Sequence, residues 1–323
     1  YVDYFKEFEN KSILHISDSD LDGVSSRIVG EWYLKPYSKI YTPLNTGERQ
    51  FNDFDFSLAE QYDIIIFTDI APPSIEFIEK LGKEKVFIFD HHQTSRDVLG
   101  DLDRYVFSLD MCGAKLFYTE LLKGRSRRKA IIDRYIELTN IYDMWKIESD
   151  DWNSAKYLNY ILYGYVNWNF AHIQKDTEKY EKFINIQLSK FVQYDNFFFT
   201  NYEKRLIEKA LQREEQAYLN SKKKLQFRID NEGNTYAYTE CSTKVSITAS
   251  KLLNELNDKI VYIAILNTFD KNDLKVSLRS LGNFDTTYIT EKWSGGGHKN
   301  ASAFKFQNNE DLENFRLGKI HLI

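Results

Sequence analysis

Three short apolar segments, each followed within two residues by acidic or histidine side chains, constrain the fold of this chain more than any other feature. The segments are Ser12–Ile16, Tyr62–Phe67 and Lys85–Phe89. Continuous apolar runs that alternate with helical patterns are typical of parallel strands buried on both faces. The sequence therefore predicts an α/β fold, in which a parallel sheet is flanked by helices.

The side chains that follow the three segments are carboxylates and imidazoles. In open parallel sheets, ligands bind beyond the carboxyl ends of the strands. We therefore expect these side chains to meet at one edge of the sheet. They are Asp18, Asp20 and Asp22 after the first segment, Asp69 after the second, and Asp90, His91 and His92 after the third.

The first of these groups predicts a cation site. Carboxylates this close raise one another's pKa unless a cation is present. Mg²⁺ prefers oxygen ligands, and Mn²⁺ also accepts imidazole. A solvated turn and a calcium loop are the alternatives, but an EF-hand needs Glu at its twelfth position, where this chain has Val29.

The secondary-structure pattern of the sequence changes from helices to strands near residue 225. Helical patterns extend from Gly113 to about residue 200, and a strongly charged helix follows from Tyr202 to about Lys224. Strand patterns dominate the remainder. We predict a domain at residues 1–200, a connector helix at 201–224 and a smaller α+β domain at 225–323.

Composition narrows the function classes. The net charge is −5, so any nucleic-acid contact is expected to be local. Cys112 and Cys241 are far apart without CxxC spacing, which excludes a disulfide framework or a cysteine zinc site and favours a reducing cytoplasm. No segment resembles a signal peptide or approaches the roughly 18 apolar residues of a membrane span, although the chain begins at Tyr1 rather than Met.

One glycine-rich segment, Gly295–Gly297 followed by His298, stands in the C-terminal part. It lacks the GxxxxGK[ST] pattern of a phosphate-binding Walker loop. Backbone N–H groups and an imidazole can nevertheless approach an anion there. An ordinary loop is the alternative.

Taken together, these elements resemble the DHH family of phosphoesterases over nearly the whole chain. The family includes the exonuclease RecJ, oligoribonucleases, cyclic-dinucleotide phosphodiesterases and family II pyrophosphatases. The matching segments are Asp18–Gly23, Asp69, Asp90–His92 and Asp143 for the four motifs, and Val276–Ser280 with Gly295–His298 for the DHH-associated substrate-binding domain.

The resemblance implies a set of roles. Two divalent cations, Mn²⁺ or Mg²⁺, would activate water and stabilise an in-line displacement at phosphorus. His92 would contact the phosphate or the leaving oxygen, oriented by Asp90. The implied cation ligands are Asp18, Asp20, Asp22, Asp69, His91 and Asp143, with Asp69 shared between the cations. The implied phosphate-binding residues are Arg279, Gly295, Gly296, Gly297 and His298.

His15 lies one residue out of step with a ligand histidine found in other branches, so a ligand role and strand packing both stay open.

The function expected from this resemblance is hydrolysis of short oligonucleotides or nucleotides to 5′-mononucleotides. A RecJ-like single-strand DNA exonuclease and a cyclic-dinucleotide phosphodiesterase are the enzymatic alternatives. A DHH scaffold without catalysis is a third alternative, which the complete set of motif residues disfavours. The expected partners are short single-stranded RNA or DNA or a nucleotide, without a membrane, and a homodimer stays open.

Overall fold

The computed structural model describes residues 2–46, 48–126, 128–166, 177–269 and 274–322. The chain divides into two compact units, Tyr1–Ile207 and Glu208–Ile323. The boundary falls within the long helix Asn201–Lys223. Within the described residues, no helix is long and apolar enough to cross a membrane.

Unit 1 is built on a five-stranded sheet in which all neighbouring strands are parallel, as predicted. The strands are β1 (Ser12–Asp18), β2 (Ile40–Thr46), β3 (Ile64–Thr68), β4 (Val86–Asp90) and β5 (Tyr105–Phe107). Their order is β2-β1-β3-β4-β5. The three predicted strands are therefore the three central ones, and the two edge strands were not predicted.

Helices of unit 1 cover both faces of this sheet. The helices of this unit are α1 (Tyr4–Phe8), α2 (Leu21–Tyr33), α3 (Ile75–Leu81), α4 (Gln93–Leu99), α5 (Gly113–Leu121), α6 (Ala130–Asp143), α7 (Trp152–Val166) and α8 (Thr177–Gln193), with 3₁₀ turns at Lys35–Tyr37, Glu48–Asp53, Phe56–Gln61 and Lys83–Lys85. Helix α9 (Asn201–Lys223) spans the boundary between the two units. The helical pattern that begins at Gly113 is interrupted between α5 and α6, where the chain turns at Gly124, which has a positive φ.

Alternate residues of the central strands face opposite sides, as the two-residue period of a strand requires. Ile65 and Phe67 pack with α3. On the other face, Phe89 contacts the ring of Phe117 in α5, and Phe87 contacts Phe8 of α1. Both faces of the sheet are thus buried, which explains the continuous apolar segments.

Unit 2 contains a six-stranded mixed sheet with helices on both faces. Its strands are β6 (Gln226–Ile229), β7 (Thr235–Cys241), β8 (Tyr262–Asn267), β9 (Lys275–Ser280), β10 (Gly296–His298) and β11 (Ala301–Lys305), in the order β10-β11-β9-β8-β7-β6. Among the described strands of this sheet, β7 and β8 pair in parallel and the other neighbours pair antiparallel. Helix α10 (Val245–Glu255) packs on one face, and α11 (Thr287–Lys292) with α12 (Asn309–Arg316) packs on the other.

Candidate active site

The carboxyl ends of β1, β3 and β4 bring the acidic and histidine residues of unit 1 together. Asp18 is the last residue of β1, Asp69 directly follows β3, and Asp90 ends β4. Asp143 reaches the same place from the last residue of α6. The register of the parallel strands therefore produces the clustering predicted from the sequence.

His91 lies at the centre of one group of carboxylates. Its Nε2 atom is 3.3 Å from Oδ1 of Asp69, 3.5 Å from Oδ2 of Asp143 and 3.8 Å from Oδ2 of Asp22. His91, Asp22 and Asp69 are almost completely buried. Three carboxylates around one imidazole nitrogen are a ligand set that suits a divalent cation such as Mn²⁺.

A second group of carboxylates shares Asp69 with the first. One oxygen each from Asp18, Asp20 and Asp69 lies within 4.8 Å of the others. Asp69 also offers an oxygen within the same distance of ring nitrogens of His91 and His92. Asp69 therefore belongs to both groups, the position expected of a shared ligand.

The electrostatics of this cluster favour a bound cation. Burial, followed by the charge of Asp20, raises the pKa of Asp18 to about 7. Burial and the neighbouring carboxylates raise the pKa of Asp69 and Asp143 well above the usual range. The Oδ2 atoms of these two residues accept no hydrogen bond within the described part of the chain. Divalent cations would accept the buried lone pairs of these carboxylates as ligands, and their positive charge would offset the repulsion between the carboxylates. These residues therefore fit such ions.

Asp90 orients His92. The Nδ1 atom of His92 lies 2.7 Å from Oδ1 of the fully buried Asp90. Burial opposes charge on the imidazole, but the hydrogen bond and charge of Asp90 outweigh it and raise the pKa of His92 to about 9. The His92 side chain is about 39% exposed, so its ring reaches solvent beside the carboxylates. A protonated, oriented and accessible imidazole can donate a proton to a reacting oxygen.

The first turn of α5 positions two of the carboxylates. The backbone N–H groups of Gly113 and Ala114 donate to the two oxygens of Asp22, at 2.6 and 2.8 Å. Asp69 adopts a positive φ of 58° and packs directly against Gly113. These contacts are the kind of outer support that fixes ligand side chains in metal sites.

In unit 2, Arg279 and His298 lie on the same face of the sheet. His298 pairs with Ala301, and Ala301 pairs with Arg279 across β11. Residues paired in neighbouring strands point to the same face. The Arg279 Nη2 atom donates to Oγ of Ser246 at 3.0 Å, and His298 is exposed.

Gly296 and Gly297 form the edge strand β10 together with His298, and Gly295 directly precedes that strand. A Cβ atom on Gly295 or Gly297 would collide with the backbone of β11, at 2.3 Å from the carbonyl oxygen of Ala303 and 2.6 Å from that of Ala301. A Cβ atom on Gly296 would meet no atom within 4 Å. The fold thus explains the first and third glycines, whereas Gly296 faces open space.

Comparison with known proteins agrees with this geometry. Residues 233–317 match the DHHA1 domain. The chain is 26% identical to oligoribonuclease NrnB of Bacillus subtilis (strain 168) over 308 residues, covering 88% of this chain and 71% of that protein. The fold is similar to that of RecJ from Thermus thermophilus in complex with Mn²⁺ (TM-score 0.61, 14% identity, 97% of this chain and 52% of RecJ).

The fold is also similar to that of PggH, a pGpG-specific phosphodiesterase from Vibrio cholerae (TM-score 0.55, 11% identity, covering 96% of this chain and 98% of PggH). The DHHA1 match, the NrnB relative and these similar folds support a DHH-family phosphoesterase. The clustered residues of unit 1 are its candidate active site, and Arg279, Gly295, Gly296, Gly297 and His298 lie within the residues that match the DHHA1 domain.

His15 of β1 is not part of the acidic cluster of unit 1. The ring nitrogens of His15 contact the Tyr41 hydroxyl at 2.5 Å and the Thr68 hydroxyl at 2.8 Å. Burial, helped by the charge of Arg27, lowers its pKa to about 3. His15 is therefore neutral, and both its nitrogens are engaged in strand packing.

The sequence did not reveal that Cys112 lies beside the acidic cluster. Its sulfur lies within 4.8 Å of carboxylate oxygens of Asp22 and Asp143. Burial and these two charges raise its pKa well above the usual range, so it stays a thiol, which is a weak ligand. No spacing signal could have found it, because Cys112 is about 90 residues from Asp22 in the chain.

Proposed function

We propose that this DHH phosphoesterase hydrolyses short oligonucleotides or nucleotides to 5′-mononucleotides by a two-metal mechanism. The observation that carries the proposal is the position of Asp69, whose carboxylate belongs to both groups of buried ligands. A shared carboxylate between two ligand groups is the arrangement that two-metal phosphodiesterases use.

The residues present fit two cations, Mn²⁺ or Mg²⁺. Asp22, Asp69, His91 and Asp143 would hold one, and Asp18, Asp20 and Asp69 would hold the other. When bound, such cations polarise water and offset the charge of the phosphate. Asp18 ends β1 and Asp69 directly follows β3, so the fold places these ligands before a substrate binds and little reorganisation is needed.

His92 and Asp90 would move a proton. The pKa of His92 is raised to about 9 by Asp90, and its ring reaches solvent next to the carboxylates. We infer that it contacts the phosphate or donates a proton to the leaving oxygen. Asp90, buried and hydrogen-bonded to Nδ1, would keep the other nitrogen directed to the substrate.

Unit 2 would bind the nucleotide phosphate. The guanidinium of Arg279 suits a phosphate because its planar donors bind two oxygens at once. His298 shares its face of the sheet, and the open space above Gly296 leaves room for the ligand. We propose residues 1–200 as the catalytic domain, 201–224 as the connector and 225–323 as the substrate-binding domain.

The relatives support short substrates. NrnB is named an oligoribonuclease and PggH a phosphodiesterase specific for pGpG, and this chain spans most of the length of both. It spans only 52% of RecJ. We also propose a cytoplasmic location, which the free thiols of Cys112 and Cys241 support.

The test offers labelled dinucleotides, RNA and single-stranded DNA of about twenty nucleotides, and cyclic dinucleotides in parallel with Mn²⁺. We expect the highest kcat/KM on the dinucleotides, with 5′-mononucleotides as products. A preference for long DNA would favour a RecJ-like exonuclease, and a preference for the cyclic substrate a cyclic-dinucleotide phosphodiesterase. Hydrolysis of none of them would indicate a scaffold and contradict the proposal.

A further inference from the structure

The end of helix α6 carries an unusual residue beside Asp143. The N–H of Lys146 donates to the carbonyl of Ile141 at 2.9 Å, and the N–H of Trp145 donates to the carbonyl of Tyr142 at 3.2 Å. These two bonds define a Schellman motif, in which the residue at the position of Trp145 must adopt a left-handed conformation. Trp145 does so, with a φ of 52°.

Glycine is the usual residue at this position, because a side chain there strains the backbone. A bulky residue with positive φ is an outlier that the surrounding structure must support. Such outliers concentrate at functional sites. The helix could end equally well on Gly or Asn, so the indole of Trp145 needs an explanation other than capping.

Trp145 belongs to an aromatic cluster with Tyr142 and Trp152. The Tyr142 and Trp152 rings are stacked, with centroids 5.7 Å apart and planes 13° apart. The Trp145 ring meets Trp152 edge to face at 5.0 Å and Tyr142 at 5.9 Å. All three side chains are only partly buried, unlike the aromatic rings of the core. The cluster therefore keeps ring surface available to a ligand.

The cluster is joined through the chain to a residue of the candidate active site. Asp143, which lies 3.5 Å from His91, is the neighbour of Tyr142 in the chain and is two residues from Trp145. A nucleotide whose phosphate lies at the carboxylates has its base a short distance away. Aromatic side chains bind bases by stacking on their faces, and they do so with little sequence preference.

We propose that Trp145, supported by Tyr142 and Trp152, forms a stacking subsite for the nucleobase next to the reacting phosphate. This inference rests on the proposed function, and it adds a base-binding site on unit 1. The subsite accepts any base, because every base has a π-face. It therefore contributes to affinity and to alignment of the phosphate rather than to base selection.

The test compares ligands with and without a base. Binding of adenosine 5′-monophosphate and of ribose 5-phosphate is measured by calorimetry with Mn²⁺ on the wild type, Trp145→Asn, Trp145→Phe and Trp32→Ala. Asn tolerates the left-handed backbone, so Trp145→Asn keeps the cap. Trp32 is a partly buried indole of α2 that packs on Phe191, and Trp32→Ala serves as the matched control.

We expect Trp145→Asn to weaken binding of the nucleotide about 5- to 100-fold, in the range for loss of one stacked base. Binding of ribose 5-phosphate should stay unchanged, Trp145→Phe should recover most of the loss, and Trp32→Ala should behave as wild type. Equal losses for both ligands, or no loss for the nucleotide, would overturn the proposal.

The same variants on a dinucleotide and on its abasic analogue separate this inference from the proposed function. A wild type that binds the nucleotide through Trp145 but hydrolyses neither substrate would contradict only the proposed function. A wild type that hydrolyses the dinucleotide while Trp145→Asn leaves its KM unchanged would contradict only the stacking subsite.

Discussion

A Cβ atom on Gly113 would lie 2.8 Å from both Cα and Cβ of Asp69. The first turn of α5 thus lies so close to Asp69, the proposed shared ligand, that only glycine fits at position 113. The N–H of Gly113 also donates to Asp22 at 2.6 Å. One glycine therefore sets the position of carboxylates from two different elements.

We predict that Gly113→Ala lowers kcat by about 10- to 1000-fold while the chain stays folded, because small displacements of reacting groups are costly. Gly164→Ala in α7 is the matched control, since the three atoms nearest to its new Cβ all belong to the Leu206 side chain, at 3.1–3.2 Å, and none to the backbone. Steady-state kinetics with circular dichroism checks both variants. Wild-type kcat in Gly113→Ala would show that Asp69 does not depend on this contact.

The raised pKa values of the acidic cluster predict a pH-dependent stability. The pKa of Asp18 rises to about 7 and that of Asp69 is also raised, so the folded chain without cations binds more protons than the unfolded chain. Its stability therefore falls as the pH rises from about 4 to about 7. Mn²⁺ binds the deprotonated carboxylates, so its stabilising effect should grow over the same range.

Thermal melts in chelator and in Mn²⁺ between pH 5 and pH 8 measure this effect. In chelator at pH 8, Asp69→Asn should have a higher melting temperature than the wild type. The difference between the two melting temperatures should become smaller towards pH 5. Asn is well suited to the positive φ at this position. Asp258→Asn, on the exposed surface of unit 2, is the control. If Mn²⁺ does not change the melting temperature of the wild type at pH 8, the proposed cation site is wrong.

His92 should act as a proton donor rather than as a ligand. His92→Ala should lower kcat by about 10²- to 10⁴-fold with Mn²⁺ content unchanged. The pKa of His92 is raised to about 9, so the wild-type rate should fall on the alkaline side, at a pH that bound cations shift downwards. Asp90→Asn should move this fall to lower pH, because the imidazole loses its partner's charge. Loss of Mn²⁺ from a folded His92→Ala would make His92 a ligand instead.

The parallel sheet of unit 1 could be predicted from the sequence because its central strands are apolar on both faces. The edge strand β2 escaped notice, since Pro43 and polar residues interrupt its pattern, and an edge position tolerates proline. Strand β5 has only three residues. The carboxylates at the strand ends could be placed together because parallel strands end at one edge of the sheet.

Contacts between distant segments could not be anticipated. The N–H groups of Gly113 and Ala114 reach Asp22 across 91 and 92 residues of sequence. The Tyr180 hydroxyl donates to the carbonyl of Ser19 at 2.9 Å, although 161 residues separate them. Such pairs depend on how helices pack on the sheet, and no local pattern records that.

The proposed substrate-binding role of unit 2 predicts an effect that depends on substrate length. Arg279→Ala and His298→Ala should each lower kcat/KM on dinucleotides by roughly 10- to 1000-fold, since a charge-assisted contact is worth about 1.5–3 kcal/mol and alignment adds to it. Oligomers of about twenty nucleotides, with more contacts, should lose less, and a small chromogenic phosphodiester should be spared. Equal losses on all substrates would place these residues in the chemistry or in folding.

The central claim is that the carboxylates around Asp69 hold two cations that hydrolysis requires. The most direct test strips the wild type and Asp69→Asn with chelator, then titrates Mn²⁺ while recording bound metal and release of 5′-mononucleotide from a labelled dinucleotide. We predict that the stripped wild type is inactive and regains activity as two ions bind, whereas Asp69→Asn binds fewer ions and stays inactive. Full activity in excess chelator, or in Asp69→Asn, would contradict the claim.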